Sequence, residues 1–283
     1  MAGTNSKNPI PVLILFILLS ELFYLGIYTN ISEDIYLFIF ISLANSVLYL
    51  FLIIYIRRFK FDEERYFRDI RYIIFAAAII FRLTLIFHQP VASDDVYRYI
   101  WDGKVQAHGI NPYKYAPLDE EVSDLHSEIF PENINYPEMK TIYPPTAQWT
   151  FLLAYLIAGE ELIGFKLLLF ISEFFLIFFL FKILKHQNRS PINAVFYAFC
   201  PLPVMQFMVE GHVDTISIVF FAAALFLFYK GSLRRASLFT GFSVAAKLFP
   251  LVSLPAFFKE RKGISDKIMT LFIPVVMLAV FYA

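Results

Sequence analysis

Apolar residues fall along this chain in long blocks, and short runs of charge part the blocks from one another. A helix that crosses about 30 Å of hydrocarbon needs roughly 20 mostly apolar residues. Residues 10–28, 35–56, 70–87, 162–184, 192–209 and 214–229 fit that pattern and predict spanning helices. The stretches 144–158, 237–249 and 251–258 are too short, or too interrupted by proline, to cross alone. The last run, 268–283, stops without a polar flank, which reads as an unusual terminal helix or as a chain whose natural C-terminal half is missing. The expected fold is all-α and polytopic. It is a single transmembrane domain, 1–283, with an acidic loop at 88–143 inserted between helices.

Charge orients the blocks. Residues 57–71 hold six basic side chains, Arg57, Arg58, Lys60, Arg65, Arg68 and Arg71, and Lys and Arg stay on the cytoplasmic side. The loop after the third block is then extracytoplasmic, and from 93 to 142 it carries ten acids against four bases. Later basic clusters are Lys182, Lys185 and Arg189, then Lys230, Arg234 and Arg235, then Lys259, Arg261 and Lys262. All return to the cytoplasm only if 144–158 dips into the outer half of the membrane and comes back, and if 237–258 forms a hairpin bent at Pro250. Broken backbone at that depth is tolerated where it lines a cavity. The topology therefore predicts a cavity open to the outside near Tyr143, His212 and Lys247.

Composition agrees. Hydrophobic residues are 59% of 283 positions, with 34 Phe and 17 Tyr, and the mean hydropathy is +0.63, well above a soluble average near one half apolar. Zero formal charge gives no sign of a nucleic-acid partner. The lone Cys200 excludes an internal disulfide and a cage of thiolates. The apolar block after residue 8 lacks a small-residue cleavage site, so it reads as a retained first helix. No repeat of solenoid period is found.

Chemistry concentrates in three places. Ser93 suits an N-cap, Asp94 and Asp95 suit a first turn, and Gly109 with Asn111 and Pro112 ends the segment, so 94–108 predicts a short helix. At 3.6 residues per turn Asp95, Arg98, Tyr99 and Asp102 share one face. Tyr97, Trp101 and Lys104 share another, suited to the membrane interface where Trp and Tyr prefer to lie. An ionised Asp at the lip of an apolar cavity can take the proton of a sugar hydroxyl; the plain alternative is that Asp94 and Asp95 only cap the helix. Second, Glu210, Gly211, His212 and Asp214 interrupt an apolar stretch, as a solvated turn or as a ligand site. As metal ligands they make a weak signature. Third, Lys247 lies in an apolar run before Pro250, where snorkelling explains it or where its ammonium neutralises a phosphate leaving group. Arg82 and Glu21 read as intramembrane charges in structural pairing. Tyr143 with Pro144 and Pro145 opens the shallow segment as a rigid helix start.

The loop SDDVYRYIWDGKVQAHGINPY, the INYPEMKTIYPP after it, EGHVD after CPLPVMQF, and AAKLFPLVSLP together resemble the polytopic GT-C glycosyltransferases, notably bacterial polyprenyl-phosphate-mannose-dependent mannosyltransferases. The order PLP, GHxD, KxxP also resembles the glycosylphosphatidylinositol mannosyltransferase branch. The resemblance runs from about residue 90 to 255. It implies a GT-C-like helix bundle with short amphipathic helices and re-entrant segments in the outer loop. It also implies transfer of a sugar, usually mannose, from a polyprenyl-phosphate donor to a glycan or lipid acceptor on the extracytoplasmic face of a multi-pass protein in the bacterial inner membrane. Catalysis would fall to Asp95 or Asp94, with Asp95 preferred as base. His212 and Lys247 would face the donor phosphate; the residues themselves make Arg98, Tyr143, Glu210 and Asp214 further candidates for the substrate site. No cofactor is required, because a lipid monophosphate is already a good leaving group, although a divalent metal can be accommodated. Such enzymes usually carry further helices after the KLFP region. The competing readings are a transporter or flippase of a polyprenyl-linked sugar, in which the charges line a path, and a noncatalytic membrane subunit.

Overall fold

The computed structural model describes residues 7–30, 34–61 and 63–255, with isolated positions beyond, and every regular element among them is helical. The basic cluster near 260 and the run 268–283 lie essentially outside the described residues. The chain packs as two compact units, residues 1–92 with 180–209 and residues 93–179 with 210–283.

The first unit is built on α1 (Ile10–Asn30), α2 (Ile35–Arg58) and α3 (Glu63–Leu85). Asp34 starts α2 by accepting the N–H groups of Tyr36 and Leu37 at 2.9 and 3.1 Å, the usual service of an N-cap carboxylate. α1 and α2 are long and apolar enough to cross a membrane, as is α6 (Leu162–His186), which begins in the second unit and ends in the first. α3 differs from expectation. It begins earlier, at Glu63, and its first turns carry Arg65, Arg68, Asp69 and Arg71, so it holds no apolar stretch of spanning length.

The segment 192–209, expected as one span, is broken. It forms a 3-10 turn (Pro191–Ala194), α7 (Val195–Ala198), α8 (Pro201–Val204) and a π-helical turn (Met205–Val209), with a 52° bend between its halves. Pro191, Pro201 and Pro203 each remove a backbone donor, and a proline ring clashes with the preceding turn. The carbonyls freed by the break are met by side chains. Tyr49 donates its hydroxyl to Phe196 O at 2.9 Å, and Arg82 donates Nη1 to Ala198 O at 3.1 Å and to Ala78 O at 3.0 Å. Arg82 is thus a buried charge set against a helix break, which apolar surroundings would otherwise leave unsatisfied. Glu21 accepts the hydroxyl of Thr84. Around these groups Phe16, Phe81 and Phe199 pack with centroids 5.4 and 5.5 Å apart.

The second unit holds α4 (Asp95–Ala107), a long loop with one 3-10 turn (Glu120–Leu125), α5 (Pro145–Ala158), the start of α6, α9 (Asp214–Tyr229) and α10 (Leu233–Ala246). α4 and α5 meet closely because Gly103 has no Cβ; one added there would run into the Phe151 carbonyl oxygen. Gly164 on α6 does the same against the Ala154 carbonyl. Trp101, expected at the membrane interface, is instead fully buried against His126 and Phe130 of the loop, both 5.8 Å away. Lys104 on the same face is buried and paired with Glu160, whose other oxygen accepts Ser127 at 2.8 Å. That face is the floor of the loop. α9, at 16 residues, is about 24 Å long, short for a span, and α10 folds back on it through Gly231 at φ 72°. Ser217 and Ser243 join the two helices reciprocally, each hydroxyl donating to the other residue's carbonyl at 2.9 and 2.8 Å. α10 gives way at Lys247, whose backbone is extended, and a 3-10 turn (Phe249–Ser253) follows. The break therefore comes ahead of Pro250, where the bend was expected.

Candidate functional site

α4 presents Asp95 at its first position and Arg98, Tyr99 and Asp102 on the turns behind it. Asp94 occupies the cap position, yet its side chain makes no capping hydrogen bond and is exposed. Ser93 holds the start of the helix in two ways. Its hydroxyl accepts Asp95 N–H at 3.3 Å, and its own N–H donates to Glu210 Oε2 at 2.9 Å.

That second bond brings in the turn between Val209 and α9. Glu210 is buried, so the turn is not a solvated one. Gly211, at φ 72°, lies against Val96 of α4, where a Cβ would stand 3.1 Å from Val96 Cγ2. Two separate facts therefore demand glycine there, a left-handed backbone and the approach of α4. His212 follows, with Nε2 at 3.1 Å from Ser93 Oγ and 3.9 Å from Asp95 Oδ2. Asp214 heads α9 and holds Lys247 Nζ at 2.6 Å. Asp95 and Lys247 are 41% and 45% exposed at the side chain, so both stand where a substrate can reach them.

Tyr99 ties Asp95 to Tyr143. Burial holds its phenol well above the usual range, with help from Tyr143 and from the negative charges of Asp95 and Asp214. Burial likewise pushes Tyr143 up to about 12. Both phenols thus stay protonated at neutral pH: Tyr143 donates to Tyr99 and Tyr99 to Asp95 Oδ2, each at 3.5 Å. The Tyr99 ring is clamped by Phe151, stacked at 4.6 Å, and by Phe165 at 5.2 Å. Groups from 93–99, 143, 210–214 and 247 are in this way drawn together.

Beneath them lies a buried polar network. Asp102 accepts Arg98 Nε at 3.0 Å, Gln148 Nε2 at 2.8 Å and the hydroxyl of Thr141. Burial raises its carboxyl above the ordinary range, and Arg98 opposes that most strongly. Gln106 closes the network on Gln148 Oε1 at 2.8 Å. Arg98 therefore serves Asp102 first, and its Nη2 is buried with no hydrogen-bond partner among the described residues. Tyr113 fixes the Tyr143 carbonyl at 2.7 Å, which sets the approach to Pro144 and α5. No group of three His, Cys, Asp or Glu side chains among the described residues is disposed to hold a metal ion, so Glu210, His212 and Asp214 do not meet as ligands.

Sequence reasoning passed over two charges on α6. Lys166 and Glu173 are both buried and lie seven residues apart, two turns along one face. Thr215 of α9 donates to Glu173 at 2.6 Å, and Lys166 lies within electrostatic range of Glu210. The signal was present: ionisable residues within an apolar span are rare and mark function or tight structural pairing.

No curated protein and no solved structure matches this chain. A family model does: the N-terminal domain of alpha-(1->6)-mannopyranosyltransferase matches residues 32–259. The chain belongs to that family of mannosyl-transferring glycosyltransferases, and the matched region contains every site residue named above.

Proposed function

We propose that the cluster around Asp95 is where this mannosyltransferase moves its sugar, and that the donor is a mannosylated polyprenyl monophosphate reached from the extracytoplasmic face of a bacterial inner membrane. The observation that carries the reading is the meeting of Asp95, His212 and the Asp214–Lys247 pair around Tyr99, from segments far apart in the chain. An acceptor hydroxyl, on a glycan or a lipid, attacks the anomeric carbon. The bond from that carbon to the phosphate oxygen breaks, and polyprenyl phosphate leaves with the bonding electrons. The hydroxyl proton passes to Asp95, which is exposed enough to meet the acceptor and is oriented by Tyr99. Lys247 and His212 offer positive charge and a ring N–H to the departing phosphate, where preorganised charge lowers a barrier most. Arg98, whose Nη2 is buried, acts from behind the site through Asp102. Asp94, exposed and outside the cluster, is a bystander in this scheme.

Extracytoplasmic placement rests on the six basic residues of 57–71 and on the acidity of the loop that carries Asp95. The polyprenyl donor rests on the apolar helices and on a cation beside a carboxylate. The test is transfer of radiolabelled mannose from a synthetic polyprenyl-phosphate-mannose by membranes containing the protein. Asp95→Asn is expected to lose about 10²–10⁴-fold in rate, and Asp94→Asn to stay within a few-fold of wild type. Equal transfer by Asp95→Asn and wild type would remove Asp95 as base. Equal use of a nucleotide-linked mannose would remove the polyprenyl donor.

A further inference from the structure

The first unit contains a cavity that the transfer site does not use. It has a volume of about 600 Å³, lies at the C-terminal end of α2, and is walled by Arg57, Phe59, Lys60, Phe61, Asn193 and Phe196 among others. The C-terminal dipole of α2 accounts for a cation at that helix end, but it does not account for a cavity with cations around it. The Arg57 guanidinium lies over the Phe196 ring at 5.0 Å. The rim is also fastened. The Lys7 N–H donates to the Lys60 carbonyl at 3.0 Å, Lys7 bridges to Phe61 as a short parallel pair, and the Lys7 ammonium sits 3.7 Å above the Phe59 ring. A third cation is thereby added beside the opening.

An apolar groove of about 220 Å³ runs along the same helix, between α1 and α2, past Phe16, Leu19, Leu48, Phe51 and Leu52 to Tyr55. Tyr55 stands between the two spaces. Its ring packs on Phe59 and Phe61 at 4.8 and 5.8 Å, and Phe61 walls the cavity. From Leu48 to Tyr55 is two helical turns, about 10 Å. A cationic cavity at the end of a spanning helix, with a separate greasy groove along that helix beginning on the far side of Tyr55, matches one kind of ligand: a phosphate attached to an acyl chain. Basic pockets between helices on the Lys- and Arg-rich side of a membrane take anionic headgroups for this reason.

We propose that this cavity and groove form a binding site for an anionic membrane phospholipid, with its phosphate against Arg57 and Lys60 and one acyl chain along α2. The site is independent of the transfer reaction, so its failure would leave the mannosyl site untouched. The groove favours a lipid over a free phosphate ion, and the experiment separates the two. The full chain is purified and reconstituted into nanodiscs of phosphatidylcholine with a minor share of phosphatidylglycerol, and bound phosphatidylglycerol is counted by native mass spectrometry. The double variant Arg57→Gln with Lys60→Gln is expected to hold phosphatidylglycerol roughly thirtyfold more weakly, at about 1 kcal/mol per cation lost. Arg58→Gln, a neighbour that does not wall the cavity, is expected to match wild type. In wild-type protein phosphatidylglycerol should protect Lys60, and not Lys185, from an amine-labelling reagent, which keeps the test alive if the double variant does not fold. Equal retention by the double variant and wild type, equal loss in Arg58→Gln, or Lys60 left unprotected would each overturn the site. Protection by inorganic phosphate at the same strength would overturn the lipid as its occupant.

Discussion

α2 and α4 treat their polar and apolar residues in opposite ways. Over 24 residues α2 leaves Phe40, Leu43, Phe51 and Ile54 exposed while it buries Asn45, which accepts Ser20 of α1 at 2.9 Å. Over 13 residues α4 buries Arg98, Asp102 and Lys104 and exposes no large apolar side chain. In water the first pattern would be an aggregation hazard; in a bilayer the exposed side chains simply face lipid tails. The second pattern is costly in any solvent unless each polar group finds a partner. Arg98, Asp102, Thr141, Gln148 and Gln106 find one another. The apolar helix is held by an inexact requirement, that it be greasy and long enough. The polar helix is held by a set of named bonds, and those bonds aim Asp95 and Tyr99 at the turn carrying His212.

If this difference is real, single changes on α4 should cost far more than changes on the lipid-facing helices. The largest expected effect is on chemistry. Asp95→Asn should remove about 10²–10⁴-fold of mannosyl transfer with little change in thermal stability, since Asp95 is part-exposed and the His212 ring nitrogen stands 3.9 Å from its carboxylate. A large stability loss in that variant would recast Asp95 as a structural group.

Next comes Asp102→Ala. It strips Arg98 of its carboxylate and leaves the guanidinium buried, which costs about 3–5 kcal/mol when one member of a buried pair is removed. Thermal unfolding in detergent should show it, with transfer activity falling at the same time because Thr141 and Gln148 lose their shared acceptor. The milder Asp102→Asn keeps the shape and should fall between. A stability unchanged in Asp102→Ala would mean that the network contributes nothing to holding α4.

The two regions also differed in how far the sequence made them legible. Block length alone located α1, α2 and α6, because a spanning helix has to satisfy every backbone group within itself; it also bounded α9, which at 16 residues is shorter than the span expected there. The face of α4 that joins Asp95 to Tyr99 and Arg98 to Asp102 followed from the 3.6-residue period, and both i,i+4 contacts are present. Trp101 could not be placed that way. An aromatic on the far face suits a membrane interface and a loop floor equally well, and the choice depends on His126 and Phe130, which the sequence puts far away. The break within 192–209 was signalled by Pro191, Pro201 and Pro203, yet apolar length outweighed them. What made the break tolerable, Tyr49 and Arg82 donating to freed carbonyls, lies on other helices. Lys166 and Glu173 were visible as charges within a span, but their purpose depends on Glu210 and Thr215 arriving from the turn at α9.

The smallest expected effect sharpens the contrast because it uses one substitution at two sites. Gly103→Ala puts a methyl group into the Phe151 carbonyl, and backbone cannot step aside as a side-chain tip would. Overpacking of that kind costs about 1–3 kcal/mol, and it should also push α4 from α5 and blunt transfer. Gly26→Ala in α1 meets only Ile41 Cδ1 at 3.6 Å, an ordinary contact. Alanine is the better helix former by about 0.8–1 kcal/mol, so stability should hold or rise slightly and transfer should be unchanged. Comparing the unfolding temperatures of the two variants in the same detergent isolates packing from composition, since both changes add one methyl group to one helix. Equal losses in both would mean that α4 is no more tightly specified than a helix that has only to be apolar.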